Sequence, residues 1–203
     1  MHEYWIATTN HGKIKEMQRL LAGSCIKVHA PSALFTQAPP VAETGKSFIE
    51  NAILKAHHGS ACLGRPCVAD DSGLCVKDLK GEPGIFSARF GGEDTNYQEK
   101  MALLLKRLAD RSIEHAPAYF YCAVASVAHA EDPTPLVAVA SWAGVIASAP
   151  AGEHGFGYDP IFYVKEAGCT AAELEPSKKC VISHRAQAVT GWMSQVITTM
   201  GEK

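Results

Sequence analysis

The feature that most constrains this chain is a pair of adjacent carboxylates placed directly after an apolar run. Residues 66–69 have the composition of the end of a buried strand, and Asp70 and Asp71 follow them immediately. Side chains alternate faces along a strand, so an extended backbone directs the two carboxylates to opposite sides. Charges buried without partners are costly. We therefore expect one carboxylate to face a cleft while the other braces the structure or binds a Lys or Arg.

A second interpretation stays open on these residues alone. Ser72 and Gly73 favour a small turn, after which apolar residues resume at 74–76. An Asp-Ser-Gly sequence can also close a hairpin through an Asx-turn, in which case the carboxylates have no chemical role.

Composition places the chain among ordinary globular proteins and excludes several partners. Its 203 residues are 47% hydrophobic and 20% charged, which suits one domain over residues 1–203. The net charge of -2 offers no general attraction to a nucleic acid. Since no apolar run can span a bilayer, we expect no membrane partner. Seven cysteines without a CxxC pair indicate a reduced, cytoplasmic protein without structural zinc.

The N-terminal pattern is a strand, a polar loop and a helix. Residues 4–7 are apolar, residues 8–12 break the run, and a helix is predicted to begin near Lys13. Such a loop presents backbone N–H groups and the positive helix end, an arrangement that favours phosphate. It is not a Walker A loop, and many similar turns bind nothing.

A second helix is predicted to follow the loop at residues 30–42. Ser47 fits the N-cap of a capping box completed by Glu50, and the helix should run to about Cys62. Lys55 lies about two turns into it, and the helical pattern alone predicts a solvated lysine. Farther along, residues 95–98 fit another capping box, and residues 118–128 and 135–146 predict long strands.

Two late segments carry further signals. The glycines beside Phe156 allow close backbone approach and can expose its ring to a flat ligand, although a hairpin loop with a core aromatic is commoner. Ser183 is predicted to cap the last helix, with His184 and Arg185 in its first turn. Cations there oppose the helix dipole by about 0.3–1 kcal/mol each, which indicates an anionic or acceptor-rich partner, although His and Arg at helix starts are not rare.

Together the polar residues describe a site for a nucleoside triphosphate. Carboxylate oxygens suit Mg²⁺ or Mn²⁺ better than zinc, nearby cations suit a polyphosphate, and an exposed ring suits a base. The residues that form this set are Lys13, Glu43, Lys55, Asp70, Asp71, Phe156, Lys179, His184 and Arg185.

Five segments in order resemble the signature blocks of the inosine triphosphate pyrophosphatase family, whose members are also described as dITP/XTP pyrophosphatases. They are TTNHGKIKEM, ETGKSFIENAILKA, VADDSGLCVKDLKGEPGIFSARF, GFGYDPIF and AELEPSKKCVISHRAQA. The resemblance implies an α/β fold: a long, curved, mixed central sheet flanked by helices, in two lobes with a cleft between them. It also implies a homodimer.

The activity that the resemblance implies is hydrolysis of ITP, dITP and XTP to the monophosphate and pyrophosphate. Water would attack the α-phosphorus with Mg²⁺, for which Mn²⁺ can substitute, and deaminated purines would be removed from the nucleotide pool. Arg185 could donate to the 6-keto oxygen, where adenine carries an amine. Two alternatives are a related pyrophosphatase for modified pyrimidine nucleotides and a non-catalytic nucleotide sensor.

The motif match also assigns roles to residues. Asp71 would accept the proton from water, with Lys13, Lys55 and Asp70 as further catalytic positions, and Glu43 and Asp71 would hold the metal. Ala42 departs from the pattern, because many members have an acidic residue there. Substrate would be bound by Thr8, Thr9, Asn10, His11, Gly12, Lys13, Ser72, Phe156, Gly157, Tyr158, Asp159, Lys179, His184 and Arg185.

Overall fold

The structure is a computed structural model that describes residues 2–31 and 33–201. Its strands are β1 (His2–Ile6), β2 (Ile26–His29), β3 (Cys67–Val76), β4 (Pro117–Val127), β5 (Leu136–Ile146), β6 (Phe162–Val164) and β7 (Cys169–Thr170). Its α-helices are α1 (His11–Leu20), α2 (Ala33–Gln37), α3 (Phe48–Leu63), α4 (Tyr97–Ala109), α5 (Pro176–Ile182) and α6 (His184–Gly201). Short 3₁₀ helices cover Lys77–Leu79, Gly84–Arg89 and Asp159–Ile161.

The strands form one mixed sheet in the order β2-β1-β3-β4-β5-β6-β7. Strand β1 runs parallel to β2 and to β3, whereas β6 runs antiparallel to β5 and to β7. The predicted α/β class with a mixed sheet is confirmed. The single domain over residues 1–203, the curvature of the sheet and the cleft remain predictions.

The chain divides into two compact units. Where they are described, the first unit comprises residues 2–71, 122–140 and 185–201, and the second comprises residues 72–121 and 141–184. In the first unit, apolar side chains of β1, α1, β3, β4 and α6 pack together. Trp192 is fully buried there, and its indole N–H donates to Ser126 Oγ at 2.8 Å.

The second unit has its own core, rich in aromatic rings. The ring centroids of Phe120 and Phe162 lie 4.5 Å apart, and Trp142 lies 5.3 Å from Phe162. Leucines of α4 and apolar residues of β3 complete this cluster. Within the described residues, no helix is long and apolar enough to cross a membrane.

Three helix starts differ in detail from the predicted caps. Helix α1 begins two residues before Lys13, with Asn10 as its N-cap. Ser47 caps α3 as predicted, but the Glu50 carboxylate accepts from the Lys46 amide and not from the N-cap amide, so that half of the capping box was wrong. The capping box of α4 joins Asn96 to Glu99, one residue later than predicted.

The predicted turn at Ser72 and Gly73 was wrong, because β3 continues without a break through both residues. A Cβ at position 73 would lie 2.5 Å from the Gly84 carbonyl oxygen and 2.4 Å from Ser87 Oγ. The glycine therefore serves close packing inside a strand. The hairpin alternative fails for the same reason.

Other short elements were missed. Residues 30–42 contain α2, and α5, which ends at its C-cap Ser183, was not predicted. Strand β7 was not predicted either. The last helix, α6, begins at His184 directly after Ser183, as predicted.

Candidate active site

Strand β3 directs Asp70 and Asp71 to opposite faces, as the alternation of an extended strand requires. Both carboxylates are buried, and each has a separate set of cationic or amide partners within the first unit. The prediction that one carboxylate braces the structure against Lys or Arg is confirmed for Asp70.

Asp70 is held by two cations. Its carboxylate Oδ2 lies 3.0 Å from Lys13 Nζ and accepts from Arg185 Nε at 3.3 Å and Nη2 at 3.2 Å. The remaining guanidinium nitrogen, Nη1, donates to the carboxylate of Glu16. A chain of alternating charges therefore runs from Lys13 through the buried Asp70 and Arg185 to Glu16, which is partly exposed.

These neighbours decide the charge states. Burial alone would raise the pKa of Asp70, but the charges of Lys13 and Arg185 outweigh it and hold that pKa well below its ordinary value. Burial alone would lower the pKa of Arg185, but Asp70 and Glu16 raise it above its ordinary value. Asp70 therefore stays ionised at neutral pH, which suits a positioning anion better than a proton acceptor.

Asp71 contacts two side chains of α3. Its Oδ1 accepts from Lys55 Nζ at 2.7 Å, and its Oδ2 accepts from Asn51 Nδ2 at 3.3 Å. The same Lys55 ammonium lies 2.7 Å from Glu43 Oε1. The Lys55 side chain is only 15% exposed, so the solvated lysine that the helical pattern predicted was wrong.

The pKa of Asp71 lies above its ordinary value. Burial is the main cause, Lys55 and Lys13 act against it, and Glu43 adds to it. Burial alone would lower the pKa of Lys55, but Asp71 and Glu43 raise it above its ordinary value. A more basic carboxylate beside a permanent cation is a suitable proton acceptor.

Glu43 and Asp71 fit a hard divalent cation. Their oxygens lie at the same 2.7 Å from one ammonium nitrogen, so the two carboxylates converge on one small volume. Within the described residues, no group of three or more His, Cys, Asp or Glu side chains could hold a metal. Mg²⁺ is commonly bound by one or two carboxylates, with water and substrate phosphates as its other ligands, which agrees with this pair.

The loop before α1 lies in the same unit. Thr8 Oγ1 accepts from the Asn10 amide at 3.2 Å, and Asn10 Oδ1 accepts from the Lys13 amide at 3.1 Å. Thr9, Asn10 and His11 are exposed at the positive end of the helix. Gly12 occupies the first turn. This geometry suits an anion at the N-terminus of α1.

The second unit holds the other predicted substrate-binding residues. Asp159 accepts from Lys179 Nζ at 2.6 Å and from the Phe156 amide at 2.7 Å, and Lys179 Nζ lies 5.3 Å from the centroid of the Phe156 ring. Tyr158 is buried, and its hydroxyl donates to the Ser87 carbonyl at 3.1 Å. Gly157, which lies between Phe156 and Tyr158 in the chain, has a positive φ of 74°.

Three other predicted residues belong to different elements of the chain. The His184 ring stacks on Phe120 at a centroid distance of 4.7 Å, and Ser72 lies half-buried in β3. Arg185 belongs to the first unit and contacts carboxylates, so its predicted donation to the 6-keto oxygen stays a prediction.

Gly155→Ala should disrupt the loop that holds Phe156. A Cβ there would lie 2.1 Å from Asp159 Oδ2, and the residue has a φ of +78°. We expect a loss of about 2–4 kcal/mol in the free energy of unfolding, from backbone strain of about 1–2 kcal/mol plus the broken contact, measured by urea denaturation. Gly168→Ala is the matched control, since its φ is +69° but no atom lies within 4 Å. Equal losses in both variants would contradict the proposed clash.

Sequence reasoning missed two residues of the first unit. Asn51 lies one helical turn before Lys55, and Glu16 lies three residues after Lys13. Spacings of three or four residues place each pair on one helix face, which is the signal that could have found them.

Comparison with known proteins identifies the family of the chain. The sequence model of the Ham1 family matches residues 4–195. A "dITP/XTP pyrophosphatase" of Legionella pneumophila (strain Paris) is 50% identical over 189 residues, which cover 93% of this chain and 95% of that protein. A protein of Escherichia coli (strain K12) with the same name is 47% identical over 189 residues, which again cover 93% of this chain and 95% of that protein.

Solved structures are also similar. A HAM1 protein from Coxiella burnetii matches with a TM-score of 0.88 and 40% identity, over 98% of this chain and 100% of that one. The Ham1 protein of Staphylococcus aureus matches with a TM-score of 0.83 and 37% identity, over 99% and 100%. These matches confirm the family resemblance stated from the sequence motifs. The chain belongs to the Ham1 family.

Proposed function

We propose that this protein hydrolyses the non-standard purine nucleoside triphosphates dITP, XTP and ITP to the monophosphate and pyrophosphate. The names of its relatives support the reaction class and the substrates dITP and XTP, and the family resemblance adds ITP. The observation that carries the proposal is the convergence of Asp71 and Glu43 on Lys55, beside the buried pair of Asp70 and Lys13. Anionic and cationic groups of this kind suit phosphoryl chemistry.

In the proposed reaction a water molecule attacks the α-phosphorus. Asp71 accepts its proton, the bond from the α-phosphorus to the bridging oxygen breaks, and pyrophosphate leaves with the electron pair. Lys55 is positioned beside Asp71 and Lys13 near the start of α1, where both can stabilise the negative charge that develops on the leaving group. The loop of residues 8–12 would hold the triphosphate through its backbone amides.

Glu43 and Asp71 would hold a divalent cation, which we propose to be Mg²⁺, with Mn²⁺ able to substitute. When bound, such a cation stabilises charge on the phosphate oxygens and lowers the pKa of a bound water. Lys55 would then turn to the phosphates, since its ammonium shares both carboxylates in this structure.

Recognition of the base is proposed for Phe156, Lys179 and their neighbours. The half-buried Phe156 ring offers a face for stacking. The Asp159 carboxylate accepts hydrogen bonds from both the Phe156 amide and Lys179 and so holds them in place. A donor aimed at the 6-keto oxygen would meet another donor in ATP, which costs about 1–3 kcal/mol per unpaired buried group. His184, Arg185 and Ser72 are further proposed contacts.

A substrate panel tests the function. Pyrophosphate release should be fast with dITP, XTP and ITP and about 100-fold slower with ATP, which is near the upper end of what one unpaired buried polar group costs. It should stop when the divalent cation is chelated. Comparable turnover of ITP, GTP, UTP and TTP would exclude a purine-specific enzyme. It would support the alternative of a pyrophosphatase for modified pyrimidine nucleotides.

Two further proposals rest on the sequence, the first on the family resemblance and the second on the cysteine usage. The protein is proposed to be a homodimer and to act in the cytoplasm. Light scattering coupled to gel filtration measures the first, and a monomeric mass at micromolar concentration would contradict it.

A further inference from the structure

Asn51 has two contacts that the reaction scheme does not use. It is a fully buried residue of α3. Its Nδ2 donates to Asp71 Oδ2 at 3.3 Å, and its Oδ1 accepts from the Gly45 amide at 2.9 Å. Both ends of one side-chain amide are therefore engaged, each by a different segment of the site.

The Gly45 contact holds the segment that carries Glu43, which lies two residues earlier in the chain. A Cβ at position 45 would lie 2.6 Å from Asn51 Oδ1. Glycine therefore permits the close approach that this hydrogen bond needs. The contact leaves the segment little freedom to move away from α3.

The Asp71 contact works together with Lys55. Asn51 and Lys55 are four residues apart on α3, so their side chains project on the same helix face. One donates to Oδ2 of Asp71 and the other to Oδ1, so both carboxylate oxygens are held. A carboxylate fixed at both oxygens cannot rotate freely about its last torsion.

We propose that Asn51 is a positioning residue that orients Asp71 and, through Gly45, keeps Glu43 beside it. This inference rests on the proposed function, because it assigns Asn51 to the presentation of two carboxylates to water and a divalent cation. An amide suits the role, since it offers a donor and an acceptor on one short side chain. Aspartate would lack the donor, and an aliphatic residue would lack both.

The test compares Asn51→Leu and Asn51→Ala with Ser60→Ala. Ser60 is also buried on α3, and its hydroxyl donates to the Arg65 carbonyl at 2.8 Å, away from Asp71. Loss of a residue that supports metal ligands typically costs about 10–100-fold in metal affinity or activity. We expect kcat with dITP to fall by about that factor in both Asn51 variants while KM for dITP changes less than about threefold.

A second readout needs no turnover. Mn²⁺ alone, titrated by calorimetry or electron paramagnetic resonance, should bind the Asn51 variants about 10-fold more weakly than wild type. Ser60→Ala should leave kcat and Mn²⁺ affinity within about twofold, even though it also loses one buried hydrogen bond. A purely structural role for Asn51 would lower the melting temperature and leave both quantities unchanged.

Several outcomes decide the matter. Wild-type kcat and Mn²⁺ affinity in a folded Asn51 variant would overturn the proposal. If neither variant folds, Gly45→Ala disturbs the same hydrogen bond from the other side and should give the same two changes; unchanged values there would overturn it too. If wild type fails to hydrolyse dITP, the proposed function fails, whereas the Mn²⁺ affinities still test the positioning role.

Discussion

Asp71→Asn is expected to reduce the turnover of dITP by about 10³-fold, in the middle of the range of about 10²–10⁴ that a general base contributes. The amide keeps the size of the carboxylate, and its one oxygen can still accept from Lys55, while its NH₂ group replaces the oxygen that accepts from Asn51. It cannot accept a proton from water, and it removes one of the two anionic oxygens that would face the cation.

The measurement is pyrophosphate release under saturating dITP, with circular dichroism to establish the fold and calorimetry to measure ITP binding. Binding should persist, which separates a lost catalyst from a lost site. Asp94→Asn alters an exposed carboxylate and serves as the control. Turnover within about tenfold of wild type would show that Asp71 is not the proton acceptor. If the wild-type protein binds ITP but releases no pyrophosphate, the alternative of a non-catalytic nucleotide sensor is favoured instead.

Asp70→Asn is expected to destabilise the fold by about 3–5 kcal/mol, the usual result of removing one partner from a buried charge pair. Lys13 and Arg185 would keep their charges beside a neutral amide. Urea denaturation at pH 7 measures the loss. Glu16→Gln is the matched comparison, because it removes the other carboxylate on Arg185 at a position that is 21% exposed, and it should cost about 1 kcal/mol or less.

The free energy of unfolding that is lost in Asp70→Asn should depend on pH in a defined direction. Asp70 has a folded-state pKa below its ordinary value, so its ionised form stabilises the protein above the unfolded pKa of about 4. That contribution is lost as pH falls below about 4, because the unfolded chain takes up the proton first. The stability difference between wild type and Asp70→Asn should therefore narrow in acid. A constant difference from pH 7 to pH 3, or a loss below about 1 kcal/mol at pH 7, would contradict the assigned role.

The sequence predicted those features that depend on local pattern. Strands β4 and β5 lie within one residue of their predicted bounds, and the alternation of Asp70 and Asp71 follows from strand geometry alone. The turn at Gly73 failed for a physical reason. Its local preference was outweighed by Ser87 and Gly84, more than ten residues away, and no local pattern reports such a contact.

The site shows the same division between local and distant information. Motif resemblance placed Lys55 in the site, whereas its helical pattern indicated solvent. Asn51 and Glu16 were missed because their importance comes from partners on other elements, Asp71 and Arg185. Short helices such as α2 and α5 carry too few residues for a periodic signal.

The order in which the chain is synthesised has a consequence for the first unit. Its core includes Val189, Trp192 and Val196, and its chain of alternating charges includes Arg185, all of them from α6. Strand β3 and its two aspartates leave the ribosome more than a hundred residues earlier. Until α6 emerges, Asp70 lacks one of its two cations, and the apolar cluster of the first unit lacks the side chains that α6 contributes. Assembly of the first unit must therefore wait for α6.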